Sequence, residues 1–202
     1  MTELEQSYRR RFDTALTPLA IAIEAQLRDY FAIEPRIDRI TARPKSVERF
    51  LAKAQITENE RPKYTEPLHQ IQDQVGARVV TLYLSDVARA AAVIERYYRQ
   101  IEVRDVIPES EWEFGYFGRH YVLVVPTDLI DPSLDRALIP DFFELQVKTL
   151  FQHAWSEANH DLGYKPSAVP LTSDAQRRLA FTAAQAWGAD RIFDELFRER
   201  GM

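Results

Sequence analysis

Residues 142–148 (FFELQVK) have the clearest pattern in the chain, with apolar and polar side chains alternating strictly from Phe143 onward. Alternate side chains point to opposite faces of a β-strand, so the pattern predicts a strand with one apolar and one polar face. The apolar face would carry Phe143, Leu145 and Val147, and the polar face Glu144, Gln146 and Lys148. The polar face is either a solvated sheet surface or the floor of a polar pocket, and the strand alone does not choose between them.

The rest of the chain supplies strands and helices to cover this strand. Further strands are predicted over residues 36–41, 77–84, 102–107 and 117–126. Helices are predicted over residues 3–31 in two pieces, 46–53, 85–99, from Thr149 onward, and from Ser173 to about Arg200. This interleaved order predicts an α+β fold, in which a mixed sheet of about five strands is flanked by helices.

Two helix details follow from local patterns. Thr17 precedes Pro18 and is expected to cap the second N-terminal helix. After Thr149, an apolar stripe at helical spacing is expected to face the core. The members of this stripe are Leu150, Ala154, Ala158 and Leu162.

The bulk properties of the 202-residue chain favour a single domain over residues 1–202. No internal repeat or Gly/Ser-rich linker divides the sequence, and no apolar run approaches the roughly 18 residues of a membrane span. The lack of cysteine favours a reducing compartment, so we expect a cytoplasmic protein with no membrane association. The net charge of −5 argues against broad nucleic-acid binding but leaves room for a local basic pocket.

A basic cluster lies near the start of the predicted sheet. Arg43 and Lys45 are followed eight residues later by Lys53. If the helix after Ser46 also includes position 45, then Lys45, Arg49 and Lys53 fall on one side of it. Such a row suits a triphosphate, whose charge must be neutralised before a nucleophile approaches. A solvated helix face explains the same row.

Two glycine-containing clusters accompany the predicted strands. Asp73 and Gly76 lead into the strand that begins with Arg78, although an ordinary turn would also place glycine there. Farther along, alternation places Tyr116 and His120 on one face, where the aromatic ring could stack on a nucleobase. Packing of that tyrosine on a neighbouring side chain is the alternative.

Taken together and in this order, the clusters resemble the synthetase domain of the RelA/SpoT family over roughly residues 36–165. The family pattern R-x-K with a later Lys is matched by Arg43, Lys45 and Lys53, and D-x-x-G-x-R by Asp73, Gly76 and Arg78. G-Y-x-x-x-H is matched by Gly115, Tyr116 and His120, and E-x-Q-x-[RK]-T by Glu144, Gln146, Lys148 and Thr149. H-x-x-x-Y-K is matched by His160, Tyr164 and Lys165. The resemblance implies a nucleotidyltransferase-like synthetase domain with helical N- and C-terminal extensions.

The resemblance also implies an activity and a role for each matched residue. The protein would be an ATP-dependent pyrophosphokinase that moves the β,γ-pyrophosphate of ATP onto the 3′-hydroxyl of GDP or GTP and releases AMP. ATP would be bound by Arg43 and Arg78 around the adenine and by Lys45 and Lys53 on the triphosphate. Asp73 and Glu144 would bind Mg²⁺, with Glu144 as the catalytic carboxylate. The acceptor would be bound by Tyr116, His120, Gln146 and Lys148.

The acceptor loop, residues 111–120, departs from the family pattern. Trp112, Phe117 and Gly118 stand where the family has Lys, Arg and Ser, and three glutamates lie between residues 109 and 113. Carboxylates near a 5′-diphosphate would repel it. Two alternatives therefore stay open: transfer to an adenine nucleotide or to the 3′ end of a tRNA, as in a toxin-like synthetase, or a non-catalytic nucleotide-binding regulator. A toxin-like protein would have an antitoxin partner.

Two further hypotheses concern the C-terminal third. His153, Glu157 and His160 share the polar face of one helix and could bind zinc, but their spacing does not match H-E-x-x-H. The last helix is rich in large apolar residues, which would either pack on the domain or drive formation of a homo-oligomer. These residues are Trp187, Phe193, Leu196 and Phe197.

Overall fold

The computed structural model describes residues 1–107, 113–115, 118–163 and 171–201. Its strands are β1 (Ile37–Pro44), β2 (Thr57–Glu58), β3 (Arg61–Pro62), β4 (Val75–Thr81), β5 (Gln100–Val106), β6 (Gly118–Val124) and β7 (Phe142–Thr149). Its helices are α1 (Glu3–Arg11), α2 (Thr17–Tyr30), α3 (Val47–Ala54), α4 (Pro67–Gln70), α5 (Leu84–Tyr97), α6 (Leu150–Gly163) and α7 (Ser173–Glu199).

Five of the strands form one mixed sheet in the order β1-β4-β7-β6-β5, while β2 and β3 form a separate small hairpin. β4 and β7 run parallel, and the other neighbouring pairs run antiparallel. The predicted α+β fold, with its mixed sheet of about five strands and flanking helices, is confirmed. That residues 1–202 form one domain stays a prediction.

The alternation predicted for β7 is present, and the strand lies in the middle of the sheet. Phe143, Leu145 and Val147 are fully buried, whereas Glu144 and Gln146 on the opposite face are partly exposed. Glu144 stands opposite Gly76 of β4 and Val122 of β6. The central register therefore brings side chains from distant parts of the sequence to Glu144.

The predicted break at Thr17 is wrong. The chain passes from α1 into α2 through a π-helical turn, Phe12–Leu16. Thr17 keeps helical dihedrals, and both its N–H and its hydroxyl donate to the carbonyl of Phe12 instead of capping a new helix. A wider turn accommodates Pro18, which has no N–H to donate.

The stripe predicted on α6 does not face the core. Ala154 and Ala158 are exposed, and Leu162 keeps 55% of its surface accessible. α6 instead packs against α7 through larger side chains, with Phe151 stacked on Phe193 at 5.6 Å between ring centroids. Two alanines offer little apolar area, so the aromatic side of the helix is the one that packs on α7. Within the described residues, no helix has the length and apolar character needed to cross a bilayer.

Helix α1 contacts the segment that follows β1 and the segment that precedes β4. Tyr8 is fully buried, stacks on Phe50 of α3 at 3.6 Å, and donates a hydrogen bond of 2.8 Å to the carbonyl oxygen of Lys45. Arg11 is also buried and donates to the carbonyl oxygens of Leu68 and Ala137 and to the side-chain oxygen of Gln74.

We expect Arg11→Met to lower the free energy of unfolding by about 3 kcal/mol, because the buried side-chain oxygen of Gln74 would lose its donor and the carbonyl oxygens of Leu68 and Ala137 would each lose a charged one. The exposed neighbouring variant Arg10→Met is the control and should change the free energy by less than about 0.5 kcal/mol. Urea unfolding followed by circular dichroism measures both. Equal stability of the two variants would show that Arg11 does not hold this region together.

Candidate active site

A cleft of about 1010 Å³ opens over the polar face of the sheet, between α3 and α6. Seven of the predicted site residues line it: Arg43, Lys45, Asp73, Arg78, Glu144, Gln146 and Lys148. A smaller cavity of about 120 Å³ adjoins it and contains Lys53, His120, Tyr64 and Arg104. Asp73 and Glu144 line both cavities, so the two carboxylates stand where the two spaces meet.

Asp73 is held by two lysines. Lys45 Nζ lies 2.7 Å from Asp73 Oδ2, and Lys53 Nζ lies 2.9 Å from Asp73 Oδ1. Lys53 is in the last turn of α3, whose N-terminus is capped by Ser46 as predicted. Lys45, however, precedes the helix and reaches Asp73 from the end of β1, where its N–H donates to the carbonyl oxygen of Gln74. The basic residues therefore converge on a carboxylate and do not form one helical row.

Glu144 is a half-buried carboxylate with two partners of its own. Its Oε1 lies 2.8 Å from Nδ1 of His120 and accepts a 2.9 Å hydrogen bond from Nε2 of Gln146. Burial alone would raise the pKa of Glu144, but these hydrogen bonds, with charge from His120 and Lys53, outweigh it and bring the pKa to about 2. Glu144 is therefore an anion at neutral pH and can accept hydrogen bonds or bind a cation.

Arg43 and Arg78 lie on the side of the cleft formed by β1 and β4. Arg43 on β1 stands opposite Gly76, and Arg78 on β4 stands opposite Thr41, so the two arginines are diagonal neighbours on one face. Arg78 donates to Glu157 Oε1 at 2.8 Å and lies 3.1 Å from Nδ1 of His153. Burial, together with the charge of Arg78, lowers the pKa of His153, which favours a neutral ring that accepts from the arginine.

Lys148 is only 3% exposed and donates to Ser156 Oγ at 3.2 Å. Burial and then the positive charge of Arg78 lower its pKa to about 7, against the partial opposition of Glu157 and Glu144. The ammonium group therefore titrates within the physiological range, beside the space that a phosphate would enter.

This titration has a measurable consequence. Lys148 loses its proton near pH 7 in the folded protein but near 10.5 in the unfolded chain. Between those values the unfolded chain binds more protons, so the contribution of Lys148 to stability rises with pH. Its attraction for phosphate falls over the same range. We expect affinity for GDP to fall up to about tenfold more from pH 6 to pH 8 in the wild type than in Lys148→Arg. Calorimetric titration of both proteins with GDP cancels the titration of the ligand itself, and parallel pH profiles would contradict the expectation.

Some lining residues were missed or misinterpreted from sequence. Glu157 was considered only as a zinc ligand, but it is the ion-pair partner of Arg78. Ser156 and Asn159 on the same helix also line the cleft and were not predicted at all. The described residues contain no group of three or more His, Cys, Asp or Glu placed to hold a metal ion, which gives the zinc hypothesis no support. The polar side chains of α6 recur at i, i+3 and i+4 spacing, and this pattern could have indicated that one face of the helix lines the cleft.

The acceptor side is only partly described. His120 stands on β6 opposite Gln146, and its Nδ1 lies 2.8 Å from Oε1 of Glu144. Tyr116 and most of the altered loop, including Trp112 and Phe117, lie outside the described residues.

Comparisons with known proteins identify the family to which the chain belongs. The family model described as a region found in RelA / SpoT proteins matches residues 42–168, well over half of the sequence, and the chain belongs to this family. It is similar to the GTP pyrophosphokinase YjbM of Bacillus subtilis (strain 168), with 28% identity over 171 residues that cover 82% of this chain and 72% of the relative.

Solved structures show the same fold. Small alarmone synthetase 1 from Bacillus subtilis, bound to its product pppGpp, gives a TM-score of 0.74 at 21% identity, with both chains covered completely. A GTP pyrophosphokinase family protein from Streptococcus pneumoniae gives a TM-score of 0.72 at 24% identity, covering 98% of this chain and 95% of the other.

Proposed function

We propose that this protein is an ATP-dependent pyrophosphokinase that transfers the β,γ-pyrophosphate of ATP to the 3′-hydroxyl of GDP or GTP and releases AMP. The observation that carries the proposal is the meeting of two cavities at Asp73 and Glu144, with cations lining the larger one. The curated relative named GTP pyrophosphokinase, and the similar structure with bound pppGpp, support the same reaction.

The larger cleft fits ATP. Diagonal neighbours on adjacent antiparallel strands lie roughly 7–8 Å apart, which leaves room for one flat ring between two guanidinium planes. Arg43 and Arg78 would therefore hold the adenine, and Glu157 would keep Arg78 in place. Lys45 and Lys53 would turn from Asp73 to the triphosphate, which carries more negative charge than one carboxylate.

The two carboxylates fit Mg²⁺, because this hard cation commonly takes one or two protein carboxylates together with substrate phosphates. Asp73 and Glu144 would hold the ion, and both border the space for phosphate. When bound, the metal would neutralise charge on the transferred group. Release of Asp73 by the lysines would free its oxygens for this role.

The chemical step needs a positioned hydroxyl more than a strong base. The acceptor 3′-oxygen attacks the β-phosphorus in line, a new P–O bond forms, and the bond from that phosphorus to the α,β-bridging oxygen breaks so that AMP leaves. The hydroxyl becomes strongly acidic as its bond to phosphorus forms, so Glu144 can take the proton despite its low pKa. His120, Gln146 and Lys148 would hold the acceptor, and Tyr116 would stack on its base.

The experiment offers GDP, GTP, ADP, ATP and bulk tRNA in parallel to purified protein with Mg²⁺ and γ-³²P-labelled ATP. We expect label on GDP or GTP, with AMP released. Label on ADP, ATP or tRNA instead would replace the acceptor with an adenine nucleotide or a tRNA 3′ end. No transfer despite ATP binding would favour the non-catalytic regulator.

Exposed apolar side chains on α7 bear on assembly with other chains. Phe193 and Leu196 on α7 keep 49% and 50% of their surfaces exposed, whereas Phe197 stacks on Tyr83. We expect a homo-oligomer in which the exposed residues are covered, and static light scattering should give a mass that is a multiple of the chain mass. A monomer at all protein concentrations would contradict this. The antitoxin partner and the cytoplasmic location stay predictions.

A further inference from the structure

We infer that Trp187 of α7 is a positioning residue for a guanine-nucleotide acceptor, because it anchors the acceptor loop at Phe114. The rings of Phe114 and Trp187 meet edge to face, with 5.8 Å between their centroids and 69° between their planes. The inference rests on the proposed function, which makes this loop part of the acceptor site. Trp187 itself belongs to none of the motifs that carry the resemblance.

The contact joins two aromatic rings from separate parts of the chain. Phe114 keeps 38% of its surface exposed and Trp187 keeps 39%, so each ring depends on the other for part of its burial. Arg191, one turn farther along α7, lies over the indole with its guanidinium carbon 4.7 Å from the ring centroid. The indole is therefore held from its own helix, and Phe114 packs on a surface that is already in place.

Gly115 continues the contact between the loop and the helices. It lines a cavity of about 190 Å³ between α6 and α7, together with Trp155 and Trp187. Phe114 and Gly115 thus both lie against these helices, and Tyr116 is the next residue in the sequence. The loop is tied to α7 immediately before the residue that is proposed to stack on the acceptor base.

Helix α7 is in turn fixed to the strand that carries Glu144. The carboxylate of Asp190 accepts a 2.7 Å hydrogen bond from the hydroxyl of Thr149, the last residue of β7, and both side chains are buried. Trp187 lies one turn before Asp190 on α7. The contact with Phe114 therefore sets the start of the loop relative to the strand of the proposed catalytic carboxylate.

Anchoring of the loop favours acceptor binding through conformational entropy. Ordering a loop when a ligand binds costs entropy, and a loop that is already held loses less of it. An edge-to-face aromatic pair contributes enough to change an affinity about two- to tenfold. The residues proposed to bind ATP lie on β1, α3 and β4 or directly after β1. The contact should therefore affect the acceptor and leave ATP binding unchanged.

The experiment measures the affinities of GDP and of a non-hydrolysable ATP analogue by calorimetry, in separate titrations without turnover. In Trp187→Ala we expect GDP to bind about five- to tenfold more weakly, and the ATP analogue to bind within about twofold of the wild type. Trp187→Phe keeps an aromatic ring against Phe114, so its GDP affinity should stay within about twofold of the wild type. Phe114→Ala should weaken GDP binding as much as Trp187→Ala, and the double variant should lose no more than either single one.

The matched control is Phe193→Ala, because Phe193 is also a half-exposed aromatic residue of α7 and stacks on Phe151 of α6 with 5.6 Å between ring centroids. It should bind GDP like the wild type. An equal loss in Phe193→Ala would assign the effect to loosened packing of α7 and overturn the inference. Unchanged GDP affinity in Trp187→Ala, or no GDP binding by the wild type, would also overturn it.

Two features of the design keep the outcome interpretable. Phe114→Ala changes an exposed loop residue and tests the same contact if Trp187→Ala does not fold. A wild type that binds GDP but transfers no pyrophosphate to it would contradict the proposed function alone, since the loss of GDP affinity in the variants can still be measured. Unchanged GDP affinity in both Trp187→Ala and Phe114→Ala, in a protein that does transfer pyrophosphate, would contradict the positioning role alone.

Discussion

Glu144→Gln should lower the rate of pyrophosphate transfer by roughly three orders of magnitude, while ATP binding changes by less than about threefold. The amide keeps the size of the side chain, and its carbonyl can still accept from His120 and Gln146. It cannot carry the negative charge that orients the acceptor hydroxyl and takes its proton. Initial rates with saturating ATP and acceptor, together with calorimetry of an ATP analogue, separate the two quantities.

The control for this variant is Glu34→Gln, which removes a surface carboxylate paired with Arg89. Its transfer rate should match the wild type within experimental error, as exposed ion pairs contribute little. A Glu144→Gln protein that folds normally and retains more than a tenth of the wild-type rate would show that the carboxylate has no chemical role.

Asp73→Asn is expected to lower the transfer rate by about a hundredfold to a thousandfold, because an amide is a poor ligand for Mg²⁺ and leaves one carboxylate at the junction of the cavities. The Mg²⁺ concentration for half-maximal rate should rise in the variant. A titration of rate against Mg²⁺, at constant ATP analogue occupancy, measures both effects.

A different role for Asp73 predicts a different result. If this carboxylate only holds Lys45 and Lys53 in position, its loss would free the two ammonium groups, strengthen ATP binding and leave the Mg²⁺ dependence unchanged. Asp38→Asn serves as the matched control, since Asp38 pairs with Arg39 away from the cleft. Tighter ATP binding with an unchanged maximal rate would therefore refute the metal-binding role.

Part of this site could be predicted from sequence because its residues lie on regular elements. The alternation over residues 142–148 predicts which side chains share the polar face with Glu144, and the resemblance implied that Arg43 and Arg78 lie on either side of one adenine, which fits their diagonal positions on β1 and β4. Parallel pairing of β4 with β7 is a long-range contact, and local patterns carry no information on it. The convergence of Lys45 and Lys53 on Asp73 depends on another non-local contact, the antiparallel pairing of β1 with β4.

Other packing features were not predicted, because the local sequence pattern indicated a different arrangement or carried no information on them. The spacing of alanines on α6 suggested a buried stripe, but Phe151 and Trp155 determine which side packs on α7. The hydrogen bonds of Tyr8 and Arg11 join α1 to residues far along the chain, and neither residue belongs to a motif. The buried hydrogen bond between Asp190 of α7 and Thr149 of β7 is a property of packing between a helix and a strand, so sequence periodicity could not reveal it.

The central claim is that two phosphoryl groups leave ATP together as one unit. Separate reactions with α-, β- and γ-³²P-labelled ATP, each with Mg²⁺ and the acceptor found in the panel, test this directly. The account predicts equal label from the β and γ positions in a single product and label from the α position only in AMP. Label from the γ position alone in the product, with ADP released, would identify an ordinary phosphoryl kinase and contradict the account.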